Sequence, residues 1–466
     1  MTETRETGPA EHSGPSEFDV IVIGLGPGGE HVAIKAAEAG LRVLGVEERL
    51  VGGECPYFGC VPSKMMIAAA ETLREAGRVN ELAGASTVSP DWAPVARRIR
   101  EEATDDWDDR AAVERLEKAG ATFVRGHGVL AGPGHVEVEG TTYTATRGVV
   151  LNPGTAPSAP PIPGLGETPY WTNRDAVQLT ELPSSVVVIG GGAIGCELAQ
   201  VMALFGVRTT VVEVADRLVA LEEPEASQAL EEAFAATGIQ VLTGAGIASV
   251  GYAEGRFTLD LGEQELTAEK LLVAAGRRNN LHDLGLETVG LEPEARMLDP
   301  DERMRVADGV WAIGDVVGKG AFTHVSMYQA AVVLNDLLGR DGPWADYRAV
   351  SRVTFTAPEV ASVGLTEKAA RDAGLDVLVA TGDLGGRGWM AQESGVIKLV
   401  ADRARKVLVG GVVVAPAGGE IMSMLELAVH AEVPIATLLH QHFAYPTYPR
   451  AYEAVLKDLG AQLGGR

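Results

Sequence analysis

Two cysteines, Cys55 and Cys60, stand five positions apart in the run GGECPYFGCVPSK. A close thiol pair can bridge reversibly, hold a soft metal, or simply fill space. In a regular helix five steps of about 1.5 Å separate the two Cα atoms by roughly 7.5 Å, which exceeds the usual disulfide span. A bridge here therefore requires a bent segment, and Pro56 and Gly59 permit one. A bridge held that way is more readily reduced than a relaxed structural one. The metal reading lacks a matching CxxC and any histidine cluster at zinc spacing. The pair therefore reads as redox-active, against the plainer alternative of two unrelated buried thiols. Cys196, inside an apolar helical stretch, reads as a small buried side chain.

Redox sulfurs need an electron source, and the elements that could hold one are legible. FDVIVIGLGPGGEHVAIKAAEAGLRVLGVEE gives a β-branched run, a glycine turn, an amphipathic helix and a second apolar run ending in acid, which is a βαβ unit. SVVVIGGGAIGCELAQVMALFGVRTTVVEV repeats that order, and in both units a glutamate follows the first glycine by 23 positions. In the first unit Gly24 allows the turn, Gly26 lets a pyrophosphate approach the backbone, Gly29 lets helix pack on strand, and Glu47 accepts ribose hydroxyls. Gly190, Gly192, Gly195 and Glu213 take the same parts in the second. A carboxylate at Glu213 bonds a free 2′-hydroxyl and repels a 2′-phosphate, which favours NAD(H) over NADP(H). Arg208 and Arg217, close in sequence, would soften that preference.

The remaining sequence frames these units. At 466 residues the chain calls for about three domains. With 39 basic against 64 acidic side chains its net charge is −25, a field that repels nucleic acid and anionic membranes. Residues 1 to 17 read as a polar flexible tail without the basic start of an export signal. No apolar run approaches the roughly 20 residues of a membrane span, and three cysteines do not make a disulfide-stapled extracellular fold. The expected compartment is the cytoplasm. The Pro-rich run NPGTAPSAPPIPG, residues 152 to 164, marks an inter-domain crossing. Residues 60 to 115 read as helical, with EEATDDWDDR an exposed part of a long helix. Residues 346 to 466 turn to strands, ASVGL and GVIKLVAD among them, followed by an amphipathic helix around IMSMLELAVHAE.

With these motifs in hand, the chain resembles the pyridine nucleotide-disulfide oxidoreductases along nearly its whole length, most closely the dihydrolipoamide dehydrogenase and mercuric reductase branch. GGECPYFGCVPSK is similar to the family's active-disulfide signature. VWAIGDVVGKGAFTH is similar to its second flavin motif, with Asp315 on the ribitol, and His324 falls where the lipoamide enzymes carry histidine. AAGRRNN places Gly276 and Arg277 beside the nucleotide domain, and FTAPEVASVGLTE opens the dimer-forming domain. The resemblance implies an α/β fold of two Rossmann-like dinucleotide-binding domains plus a C-terminal α+β dimerisation domain. The expected partition is a tail at 1–17, an FAD domain at 18–160 and 283–345, an NAD(P) domain at 161–282, and an interface domain at 346–466. It implies FAD in the first βαβ unit, with Gly53, Lys64, Gly128, Gly154 and Ala321 as further contacts, a nicotinamide nucleotide in the second, and a homodimer. Cys60 becomes the flavin-side thiolate, Cys55 the thiol that meets substrate, and Lys64 and Glu197 an ion pair beside the flavin.

One departure from the family pattern bears on substrate. Lipoamide and glutathione enzymes carry His-Pro followed by Glu as the base that takes the substrate thiol's proton; here the aligned run is Tyr445-Pro446-Thr447-Tyr448-Pro449-Arg450. Tyrosine titrates at about 10 and is a poor base near neutrality, so Tyr445 divides between hydrogen bonding and an interface role. His440 and His442 stand close enough in sequence to substitute through a shifted loop. Mercuric reductases add a C-terminal cysteine pair, whereas this sequence ends DLGAQLGGR, which disfavours mercury. The expected reaction carries hydride from NAD(P)H through FAD and the disulfide to a small disulfide-type acceptor. The alternatives are a quinone or metal-ion reductase that needs no thiol base, and a flavin-bound redox sensor.

Overall fold

The computed structural model describes residues 16–464, so all but two residues of the expected tail lie outside it. Of those two, Glu17 already opens the first strand, where its carboxylate pairs with Arg42 at 3.2 Å. The chain divides into two compact units, one built from residues up to 53, 108–155 and 279–345, the other from 54–107, 156–278 and 346 onward.

In the first unit, strand Glu17–Ile23 is central. It runs parallel to Val43–Glu47 on one side and Thr141–Leu151 on the other, in registers that set Val22 against Gly45 and Val150. Val20, Ile21 and Val22 are fully buried, as expected of a parallel strand covered on both faces. Thr122–Arg125 extends one edge and Val310–Ala312 the other. The helices Pro27–Glu38 and Thr323–Leu337 pack on each other, and a Cβ on Gly28 would lie 2.1 Å from Ser326 Oγ. Only glycine lets these two backbones come that close.

The second unit contains a parallel sheet in the order Gln240–Leu242, Arg208–Val212, Ser185–Ile189, Lys270–Val273, and an antiparallel three-stranded meander over residues 249–268. Its C-terminal part is a five-stranded antiparallel sheet whose middle strands are Glu359–Gly364, Val407–Ala415 and Val396–Asp402. Helices Gly418–His430 and Tyr452–Gln462 share its apolar core. Helix Cys60–Leu82 belongs to this unit. Met66, Ile67 and Ala70 join one core with Cys196, Leu198, Ala199 and Met202 of helix Ala193–Leu204.

The long-helix reading of residues 60 to 115 is corrected. Helix Cys60–Leu82 stops, Ala93–Arg98 resumes and passes into a π-helical turn Ile99–Ala103, and Arg110–Lys118 is a separate helix. Between them Asp105, Asp106 and Trp107 hold φ of 47°, 56° and 58° in succession. Each such residue with a Cβ costs about 1–2 kcal/mol. The acidic pattern concealed this, because Thr104 and Asp109 are buried while Asp105 and Asp106 face water, a five-residue spacing of buried positions that one face of a helix does not contain.

Candidate active site

The first unit gathers the residues expected to hold a flavin nucleotide. Gly24 has φ +88°, and a Cβ there would lie 2.2 Å from Asn152 O; a Cβ on Gly29 would lie 2.1 Å from Gly24 O. Gly26 precedes helix Pro27–Glu38 with no side-chain cap, so the amides of its first turn keep their donors for a ligand. Glu47 ends its strand with Oε2 accepting the Leu25 N–H and Oε1 the Arg49 N–H, both at 2.8 Å. Burial pushes this carboxyl upward, while the two amides pull the other way. Each oxygen retains a lone pair for a ribose hydroxyl.

Of the other expected flavin contacts, Lys64 belongs to the second unit and the rest are spread through the first. Asp315 Oδ2 accepts the Thr155 hydroxyl at 2.6 Å. A Cβ on Gly53 would meet Gly26 Cα at 2.8 Å, so the two loops touch backbone to backbone. Gly128 is buried against Ile23 and Val46, Gly154 has φ +66° with open space before it, and Ala321 is exposed. His324 is exposed and stacks on Phe322 at 5.3 Å. Glycine closures, an uncapped helix start and a terminal carboxylate fit a dinucleotide.

The second unit repeats this arrangement. A Cβ on Gly195 would lie 1.9 Å from Gly190 O, while nothing lies within 4 Å of one on Gly192, which leaves room for a pyrophosphate. Glu213 Oε2 accepts the Gly191 N–H at 2.5 Å and Oε1 the Ala215 N–H at 2.7 Å, the pattern of Glu47 over again. Arg208 opens strand Arg208–Val212, at the end opposite Glu213 and so roughly 16 Å away along the strand. Arg217 spends its guanidinium on Ala220 O at 2.6 Å and Glu222 O at 3.3 Å. Arg208 is therefore not placed to counter Glu213, as its closeness in sequence suggested.

The thiol pair spans a break between two helices. Cys55 lies in the one-turn helix Glu54–Tyr57, and Cys60 opens the 23-residue helix Cys60–Leu82, whose N-cap Gly59 supplies no side-chain bond. Cys60 is exposed and Cys55 half-buried. An uncapped positive helix end favours thiolate over thiol at Cys60. One turn along, Lys64 Nζ lies 2.7 Å from Glu197 Oε2 and 4.5 Å from the centre of the Phe355 ring. Glu197 Oε1 accepts the Phe355 N–H at 2.8 Å, so the carboxylate uses both oxygens. Cys196 is the opposite case: burial pushes its thiol well above the ordinary range, and Sγ–H donates to Gly191 O at 3.2 Å.

Reading the sequence missed Glu54. Its Oε1 is gripped by the Arg174 guanidinium, with Nε at 2.8 Å, while its buried Oε2 takes no hydrogen bond and faces Arg277 at 3.7 Å. Arg277, one of the expected nucleotide residues, thus has an acidic partner, and Gly276 beside it accepts the Ser158 N–H at 3.0 Å. Adjacency to Cys55 was the available signal. Tyr445 is 68% exposed, stacks with Arg450 at 5.4 Å, and lies against Gly386 in an open cleft of about 440 Å³. His440 and His442 are exposed. Among the described residues no His, Cys, Asp and Glu cluster is arranged to hold a metal, and no helix is long and apolar enough to cross a membrane.

Two dinucleotide folds, a cysteine pair and a lysine-carboxylate pair define a flavoprotein that handles nicotinamide and disulfide chemistry. The family model of pyridine nucleotide-disulphide oxidoreductases matches residues 18–330, and that of the family's dimerisation domain matches 350–455. A dihydrolipoyl dehydrogenase from Chlorobaculum tepidum is 34% identical over 96% of this chain and 98% of its own length. A mercuric reductase from Staphylococcus aureus is 31% identical over 95% of this chain and 83% of its own. Among solved structures, LpdA from Mycobacterium tuberculosis superposes with a TM-score of 0.83 at 26% identity, covering 94% of this chain and 99% of that one. The chain belongs to the pyridine nucleotide-disulphide oxidoreductases. It is an NAD(P)H- and FAD-dependent disulfide oxidoreductase with that family's dimerisation domain.

Proposed function

We propose that this enzyme takes hydride from NADH and delivers the electrons through a Cys55–Cys60 disulfide to a small disulfide acceptor. The observation that carries the reading is the helix break at Phe58–Gly59, which frees the two cysteines from the spacing of a single helix. FAD, when bound, supplies the two-electron relay between nicotinamide and sulfur. The chain's own residues do the rest. Glu47 and Asp315 would hold the flavin's hydroxyls, and Glu213 would select the nucleotide that lacks a 2′-phosphate. Lys64, fixed by Glu197, would supply the cation that offsets the negative charge of reduction. The helix start at Cys60 stabilises its thiolate, leaving Cys55 to attack or release the acceptor. Two copies pair through residues 346–466, and the cytoplasm is the expected compartment.

The second reading, reduction of a quinone or metal ion, is favoured by one specific feature. Tyr445, under the Arg450 guanidinium, stands where the relatives' thiol base is expected. The two readings part on Cys55→Ser. In the first, this variant loses at least 100-fold (about 2.7 kcal/mol) in kcat/KM for small disulfides while retaining NADH-dependent quinone reduction. Anaerobic NADH titration should also give long-wavelength thiolate absorbance that vanishes in Cys60→Ser. Equal loss of both activities in Cys55→Ser would refute the quinone reading, and full disulfide reductase activity would refute the first.

A further inference from the structure

The six residues from Cys55 to Cys60 are held from outside by two side chains that no motif includes. To its flanking residues, Phe58 N–H donates to Glu54 O at 2.8 Å, and Gly59 O accepts the Ser63 N–H at 3.1 Å. The carbonyls of Tyr57 and Phe58 fall at the junction, where a one-turn helix ends and its last oxygens lose their helical partners. Tyr57 O accepts the Trp107 indole N–H at 3.1 Å, and Phe58 O accepts the Asn173 amide at 2.9 Å. Both donors are themselves fixed. Asn173 is buried and opens a short helix capped by Thr172 and Asp175, and its neighbour Arg174 grips Glu54 and lies 5.5 Å over the Phe58 ring. Trp107 closes the left-handed run Asp105–Trp107, where Asp106 N–H donates to Arg100 O at 2.7 Å and buried Thr104 to Ile99 O at 3.1 Å. A bulky residue at positive φ persists only where its surroundings over-determine it, and such residues cluster at functional sites.

We propose that Trp107 and Asn173 are positioning residues that set the reduction potential of the Cys55/Cys60 couple by fixing the Tyr57 and Phe58 carbonyls. The proposal rests on the reading of that pair as the redox disulfide. The equilibrium is written between the protein dithiol and a small disulfide RSSR. Two thiols lose two protons and two electrons and form one S–S bond, while RSSR cleaves and takes both up to give two RSH. A clamped hexapeptide raises the effective concentration of one thiol at the other, which favours ring closure and makes the couple more reducing. Loosening it lowers that concentration, and each tenfold loss raises the potential by about 30 mV.

The test equilibrates full-length protein with dithiothreitol or glutathione redox buffers and traps thiols by alkylation, read by mass. Trp107→Phe, which keeps the ring and removes the N–H, and Asn173→Ala should each raise the potential by about tenfold in equilibrium constant, about 30 mV. Val413→Ala, a core truncation in the C-terminal sheet, serves as a stability control that leaves the potential unchanged. Potentials of both clamp variants equal to wild type, or an equal shift in Val413→Ala, overturn the positioning role. Absence of any Cys55/Cys60 couple in the wild-type titration takes down the redox reading with it, and is distinguishable because no variant is needed to see it.

Discussion

Among single residues, Glu213 and Glu47 show what a strand-terminal carboxylate does when both oxygens are already tied to backbone N–H groups. Neither can rotate away, so the lone pairs left over point in fixed directions, and on the proposed reading Glu213 would face an incoming 2′-phosphate. Arg208 lies at the far strand end, and Arg217 is engaged by the Ala220 and Glu222 carbonyls. Glu213→Ala is therefore expected to narrow the NADH-to-NADPH ratio of kcat/KM by about tenfold, ~1.4 kcal/mol, mostly through KM for NADPH. Steady-state kinetics with both nucleotides decides it, and an unchanged ratio would remove Glu213 from the selectivity account. The glutamates were legible from their spacing after the glycines. The remoteness of Arg208 was not, since a strand's direction in space decides which neighbours in sequence are neighbours in fact.

Between elements, Lys398 joins three segments. Its ammonium, only 4% exposed on strand Val396–Asp402, lies 3.0 Å from Glu223 and 2.9 Å from both Glu225 and Glu367, which open two separate helices. Burial works against its charge, and bonds from Glu225, Glu367 and Glu223 more than reverse that, so its pKa rises. The Lys398 bond in turn is the main cause holding the Glu367 carboxyl below its ordinary value. Lys398→Met removes the cation the three carboxylates share, although Glu367 keeps Arg371 at 2.8 Å and Glu223 keeps the Glu367 N–H, and should cost about 3 kcal/mol, measured as a lower urea midpoint near neutrality. A depressed acid contributes stability above its unfolded pKa and loses it as pH falls through the folded one. The raised lysine stays charged throughout that range and loses its contribution only in alkali. The gap between wild type and variant should therefore close in acid, at and below the ordinary carboxylate range. A gap constant from neutrality down to that range would mean the carboxylates do not depend on Lys398.

Taken whole, the chain weaves between its two units, leaving one and entering the other after residues 53, 107, 155, 278 and 345. The dimerisation domain leads to a further expectation. Sedimentation at micromolar concentration should show a particle of about twice the 48.8 kDa chain mass, and a monomer active at full rate would overturn the proposed pairing. Local pattern was enough for the two βαβ units, the glycine closures, the cysteine bend and the C-terminal strands, because turn chemistry and apolar period act over a few residues. The resemblance to the family, not local pattern, exposed the missing histidine at Tyr445. Only the tertiary structure placed Thr155 on Asp315, Glu54 between two arginines, and Trp107 and Asn173 on the carbonyls between the cysteines. Those contacts join residues separated by 50 to 223 positions. Their energies depend on donor and acceptor meeting within about 3 Å, a condition that no periodicity in the sequence encodes.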